Sequence, residues 1–342
     1  MTTRLHARWG LAFFLLLMPL SSPALTMREL VQGPPPAEIA YKSVGGETLK
    51  LYTFLPARDG DAAASGKVPA VIWIHGGAWI GGTTDGFMPH ARYCAARGMA
   101  AFNITYRLAR PEGPSVAECV ADCKSAVRYV RAHAAEWGVD PHRIAVAGDS
   151  AGGHLAAALG TIEALDDAAD DRNISARPDA MILFNPIVDM SEGAWLRFAV
   201  GGEALAHPKK LPERSPENLA RAESLSPLAH VRPGLPPALL MHGLADKVVT
   251  PEQARRFANA MKEAGNRCDL VLLENIGHAF IVAGYKSPES VVVEALRAAD
   301  RFLASLGYVQ GEPTVTVSEG EPAWVPLPAS YSPPPVHSPQ AK

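Results

Sequence analysis

Residues 143–165 read RIAVAGDSAGGHLAAALGTIEAL, and the change of character inside this stretch decides the fold. RIAVAG is a short apolar run of the kind that forms a strand buried on both faces, whereas the residues from Gly152 onward have the composition and length of a helix. Ser150 stands at the junction, between Gly148 and Gly152. A strand that turns at once into a helix brings backbone so close on either side of the apex that only glycine fits there, and it lifts the apex side chain above the sheet edge. Ser150 is therefore expected to be an exposed nucleophile rather than an ordinary turn residue.

Outward from this junction the chain repeats the same alternation. Near-continuous apolar runs occur at VPAVIWI (68–74), MAAFNITY (99–106), AMILFNPIV (180–188), PALLMHG (237–243) and DLVLLE (269–274). Segments with helical spacing separate them, at about 88–97, 116–137, 152–165, 251–264 and 289–306. The pattern predicts an α/β fold with a mostly parallel central sheet and helices on both faces. Residues 39–55, which alternate apolar and polar around Gly45-Gly46, predict an antiparallel hairpin ahead of it. One long interval, 191–235, breaks the rhythm and is expected to be a small inserted lid. The domain is expected to span 37–308, and the proline-rich remainder, 309–342, to be a disordered tail.

A serine hydroxyl is a weak nucleophile at neutral pH, so a base must take its proton and a carboxylate must hold that base in the right tautomer. Asp246 follows the run PALLMHG and His278 follows DLVLLE, which places both at the carboxyl ends of strands on the same edge as Ser150, in the chain order Ser, Asp, His. Asp189, just past the preceding run, competes with Asp246, and Asp149 adjoins the nucleophile but points elsewhere on the turn. The run VPAVIWI leads into HGGAWIGG (75–82), where Gly76-Gly77 lets the backbone curl. The amides of Gly77 and Ala78, beside that of Ala151, are expected to form an oxyanion hole. His75 and His154 read as structural hydrogen-bonding residues. Trp79, Trp195 and Phe280 are candidates both for pocket lining and for packing.

The 342-residue chain carries a formal net charge of −3, which gives nucleic acid or an anionic membrane no reason to bind it. A small neutral substrate fits better, and no cofactor or metal is called for. Arg4 and Arg8 precede an apolar run from Trp9 to Leu20 and then small residues, the pattern of a secretory signal peptide over 1–26, with cleavage after Ala24 or Thr26. That run is shorter than the roughly 20 residues that span a bilayer, so no stable membrane insertion is expected after cleavage, and the mature protein should be secreted or periplasmic. Cys94, Cys119, Cys123 and Cys268 lack zinc-finger spacing and are expected to serve packing or a structural disulfide.

The motifs WIHGGAW (73–79), ITYRLA (104–109), WGVDPHRIAVAGDSAGGHLAA (137–157), LLMHGLADKVVTPEQA (239–254) and GHAF (277–280) together resemble the α/β-hydrolase superfamily. They most resemble its branch of small esterases related to hormone-sensitive lipase and to bacterial acetyl-xylan and feruloyl esterases, over about residues 39–306. The resemblance implies the α/β-hydrolase fold and metal-free hydrolysis of carboxylic esters, on small molecules or carbohydrates, by Ser150, His278 and Asp246. Two departures stand out. Lipase-like relatives usually carry a third glycine where this chain has Ala78-Trp79, and usually Asn in place of His154. Formamidases share parts of the pattern, so amide cleavage is an alternative, as is a binding protein that kept the fold.

Overall fold

The structure is a computed structural model describing residues 24–57, 66–207 and 209–325. In chain order its regular elements begin with β1 (Leu25–Thr26), α1 (Met27–Gln32), β2 (Ala37–Val44), β3 (Glu47–Phe54) and β4 (Val68–Ile74). Next come α2 (Met88–Ala96), β5 (Ala100–Ile104), α3 (Val116–Ala132), β6 (Val139–Asp149), α4 (Ser150–Thr161) and β7 (Ala180–Phe184). The insertion contributes α5 (Leu196–Val200), α6 (Glu203–Ala206) and α7 (Pro216–Ser224). The chain closes with β8 (Ala238–Gly243), α8 (Pro251–Glu263), β9 (Cys268–Leu273), α9 (Glu289–Ser305) and β10 (Val315–Thr316).

The central sheet has the order β2-β3-β5-β4-β6-β7-β8-β9. From β5 to β9 every neighbouring pair is parallel, and β2 and β3 join as an antiparallel hairpin. The hairpin turns at Gly45 and Gly46 with φ of 59° and 79°, the two left-handed positions that a tight type I′ connection requires. Strands β4, β5, β7 and β8 are buried nearly throughout because helices cover both faces. On β4, Ala70, Ile72 and Ile74 enter the core beneath α3, α4 and α8, while Val71 and Trp73 enter the one beneath α1, α2 and α9. β9 differs from its reading as a strand buried on both faces: it is the sheet edge, and all six of its residues are only half-buried.

Both domain boundaries extend beyond those expected. Residues 309–325 are not a disordered tail but a strap across α2 and α9. Val315 is fully buried and pairs with Leu25 in a parallel two-stranded sheet. Glu289 accepts from the amides of Ser318 and Ala323, Arg297 donates to Val315 O at 2.9 Å, and Trp324 Nε1 donates to Ser287 O at 3.1 Å. The proline-rich composition misleads here because the strap is held by side chains of the domain bonding to its backbone, which composition does not register. At the other end Thr26 and Glu29 form a reciprocal capping box on α1, and Arg92 ties down the carbonyls of Leu30 and Pro34. Of the expected signal peptide, residues 1–23 lie outside the described residues, while Leu25 and Thr26 belong to the fold. Residues 326–342 also lie outside them. None of the four cysteines forms a disulfide, and Cys94, Cys119 and Cys123 are buried as packing residues.

Burying Val315 alone contributes about 1.5–3 kcal/mol, and each kcal/mol moves Tm by about 2–4 °C in a domain approaching this size. A chain ending at Gly311 should therefore melt about 5 °C below one ending at Val325 in differential scanning calorimetry. Equal melting temperatures would show that the strap contributes nothing to stability.

Candidate active site

The junction of β6 and α4 is as sharp as its glycines require. Ser150 has φ of 52°, a left-handed conformation that costs a non-glycine residue about 1–2 kcal/mol. A Cβ on Gly152 would run into the carbonyl oxygens of Ile74 and His75, and one on Gly148 would run into Gly152 O. α4 thus begins directly above the end of β4, and the Ser150 side chain sits at the carboxyl edge of the sheet.

Two strands further along the same edge, β8 and β9 deliver the partners. His278 Nε2 lies 2.8 Å from Ser150 Oγ, and His278 Nδ1 lies 2.7 Å from Asp246 Oδ2. The Asp246 carboxylate is buried and fully engaged. Its Oδ1 accepts from the amides of Val248 at 2.8 Å and Val249 at 3.0 Å, while its Oδ2 faces His242 Nε2 at 3.2 Å besides His278. Burial opposes its ionisation, but the hydrogen bonds from His242 and His278 and the charge of His278 outweigh burial and hold the carboxyl well below the usual range. This is the relay of a serine hydrolase, in which the carboxylate fixes the imidazole with Nδ1 protonated and Nε2 free to accept.

Asp189 does not join it. Its carboxylate accepts from Ser191 and pairs with Arg256 at 3.0 Å, and its backbone amide is held by Gln253. Asp149 points under the loop that follows β4, where Oδ1 accepts from Gly76 N at 2.9 Å. Burial raises its pKa to about 6 against the opposing pull of His278 and the Gly76 amide.

That loop carries two of the three amides assigned to the oxyanion, those of Gly77 and Ala78. Gly77, Ala78 and Trp79 all have positive φ, at 115°, 51° and 62°. Among the described residues nothing accepts from the amides of Gly77 or Ala78. Ala151 lies in the first turn of α4, where helix amides have no intrahelical partner. The strain is held in place by bonds from Ile80 and Gly81 to Gly77 O, from Ala109 to Trp79 O, and from Gly76 to Asp149. Backbone strain persists only where its surroundings over-determine it.

His75 stacks on Tyr106 with centroids 4.4 Å apart and bonds Gly76 O, and burial lowers its pKa to about 4. His154 accepts from Trp79 Nε1 at 3.1 Å and donates to Leu225 O at 2.8 Å, again with burial lowering its pKa to about 4. Both are neutral linkers. Trp79 is fully buried against His154, Trp195 and Phe198, and Phe280 packs on Phe184, so these two rings are packing; Trp195 is only half-buried. Sequence reading missed His242 and also Asn185, whose Oδ1 accepts from Ala279 N at 3.2 Å and steadies the loop after His278.

Comparison with known proteins supplies the family. The BD-FAE family model matches residues 60–261, more than half of the chain, including Ser150 and Asp246 but ending before His278. The chain belongs to the BD-FAE family of α/β-hydrolases. Esterase 2 of Thermogutta terrifontis, solved with propionate bound, is 38% identical and superposes with a TM-score of 0.70, covering 82% of this chain and 97% of that one. The same esterase has been solved phosphorylated by paraoxon. Among curated relatives, carboxylesterase NlhH of Mycobacterium tuberculosis is 31% identical over 70% of this chain and 73% of its own. An acetylxylan esterase of Xylanibacter ruminicola is 27% identical over 68% of this chain and 47% of its own. The chain spans about half the length of several curated relatives it matches.

Within this BD-FAE member the two candidate acids are separable. Asp246→Asn should lower kcat about 10³–10⁴-fold by losing the correct imidazole tautomer. Asp189→Asn should leave kcat within about threefold, since among the described residues its carboxylate bonds Ser191 and Arg256 and not His278. Steady-state kinetics with the reverse order would move the acid to Asp189.

Proposed function

We propose that this protein is a secreted serine carboxylesterase acting on short-chain acyl esters, with carbohydrate esters as its natural class. The relay Ser150–His278–Asp246 carries the reading. His278 Nε2 takes the Ser150 proton as Oγ attacks the ester carbonyl, and the amides of Gly77, Ala78 and Ala151 hold the developing oxyanion. His278 then gives that proton to the departing alcohol. A water molecule, deprotonated by the same imidazole, attacks the acyl-enzyme and frees the acid with Ser150 restored.

Support for a short acyl group comes from Thermogutta esterase 2, solved with propionate and with butyrate bound. The acetylxylan esterase relative supports a carbohydrate alcohol. Secretion rests on the basic and apolar N-terminal residues. Cleavage after Ala24 suits the fold better than cleavage after Thr26, since the latter would remove β1 and the cap of α1.

The purified protein should release p-nitrophenol rapidly from acetyl and butyryl esters and slowly from the octanoyl ester, with kcat reduced about 10⁴-fold or more in Ser150→Ala. Loss of less than about tenfold would remove Ser150 from the mechanism. Expressed with its leader, the exported protein should begin at Leu25 by N-terminal sequencing. Retention of the leader in the cell would overturn the secretion reading.

A further inference from the structure

The relay contains a second histidine. His242 is the penultimate residue of β8, fully buried, with Nε2 placed 3.0 Å from Val249 O and 3.2 Å from Asp246 Oδ2. Both neighbours are acceptors, a carbonyl and a carboxylate oxygen, so Nε2 must carry the hydrogen. Nδ1 is buried with no partner among the described residues. An imidazolium would leave an N–H unpaired there, which is costly in a dry site, so the ring is neutral.

We propose that His242 is a positioning residue of the relay: its single Nε2–H is shared between Val249 O and Asp246 Oδ2, and it thereby competes with His278 for the same carboxylate oxygen. The inference rests on the reading of Ser150, His278 and Asp246 as the reacting triad. Two effects follow. The Asp246 rotamer is fixed by three donors independent of His278, namely the amides of Val248 and Val249 and the His242 ring. Charge on Oδ2 is also partly neutralised, so the carboxylate attracts a protonated His278 less strongly than it would without His242. The titratable groups facing the Asp246–His278 pair are His242 from β8 and Asp149 from the elbow. Lys247 and Glu274, in the flanking loops, are exposed.

Four proteins test this: wild type, His242→Leu, His242→Gln and Ser150→Ala. Glutamine places an amide N–H near the position of Nε2; leucine places none. His242→Leu should lower kcat about 10- to 100-fold with little change in KM, the rate equivalent of one hydrogen bond to a charged group, and should move the acid limb of kcat/KM to higher pH. His242→Gln should restore most of both. In NMR the His278 ring should titrate at higher pH in the leucine variant than in wild type or the glutamine variant, a readout that needs no turnover. An unshifted His278 titration in a folded leucine variant, or equal losses in both variants, would reduce His242 to a filler of the core.

Should His242→Leu fail to fold, ¹⁵N spectra of the wild-type ring decide. A proton on Nε2 with bare Nδ1 supports the assignment, and a proton on Nδ1 overturns it. Full ester turnover by Ser150→Ala would instead strike the proposed function, while the His278 titration would still report on His242.

Discussion

The structure depends on one close approach, that of the first turn of α4 to the end of β4. Gly152 has no space for a Cβ because the carbonyls of Ile74 and His75 occupy it, and Gly148 is hemmed in by Gly152 itself. This contact forces Ser150 into the left-handed region and holds its oxygen at the sheet edge. It also sets the loop after β4 beside the amide end of α4, so nucleophile and oxyanion amides share one construction. The strain of about 1–2 kcal/mol at Ser150 is small beside the burial of the sheet that imposes it.

Electrostatics at this edge turns on whether hydrogen bonds outweigh burial. Asp149 and Asp246 are both buried acids, one adjoining Ser150 in the chain and the other behind His278. For Asp149 burial outweighs the bond from Gly76 N and the charge of His278, and its pKa rises to about 6. The other accepts from two amides and faces two imidazoles, and it stays ionised far below that. The histidines divide in the same way. His75 and His154 face backbone or indole groups and are held neutral by burial, whereas His278 faces a committed carboxylate and a hydroxyl. Only the last has both a partner to stabilise its charge and a proton to collect.

The parts legible in the sequence were those that follow from periodicity and strand ends. Apolar runs located the six parallel strands, and the rule that ligands gather at strand carboxyl ends drew Ser150, Asp246 and His278 to one edge before any distance was known. Other features arise from side chains bonding to distant backbone, which no local pattern records. Glu289, Arg297 and Arg97 hold the strap from below, so a proline-rich stretch reads as loose although it is anchored. His242 was hidden inside an apolar strand, PALLMHG, where a polar residue passes for an irregularity. Its signal was its position, four residues ahead of the acid within a run that otherwise excludes hydrogen-bonding side chains.

The two departures from the lipase-like pattern prove to be a single interaction. Where that pattern carries a third glycine this chain has Ala78-Trp79, and where it carries asparagine on the nucleophile helix this chain has His154. The structure joins these residues, with the indole N–H donating to His154 Nδ1 and the rings meeting edge to face at 5.0 Å. His154 in turn donates to Leu225 O, and Trp79 packs on Trp195 and Phe198, both in the inserted segment. Ala78 and Trp79 both take a positive φ, where glycine would be unstrained. Tryptophan accepts that strain at 62° and in exchange fastens loop, helix and insertion to one another through a fully buried ring. Each residue serves the other: the buried indole N–H finds its acceptor in His154 Nδ1, and the His154 ring is bonded at both of its nitrogens. The insertion is thereby made part of the wall around the nucleophile, because the loop bearing two of the three oxyanion amides cannot shift without disturbing it.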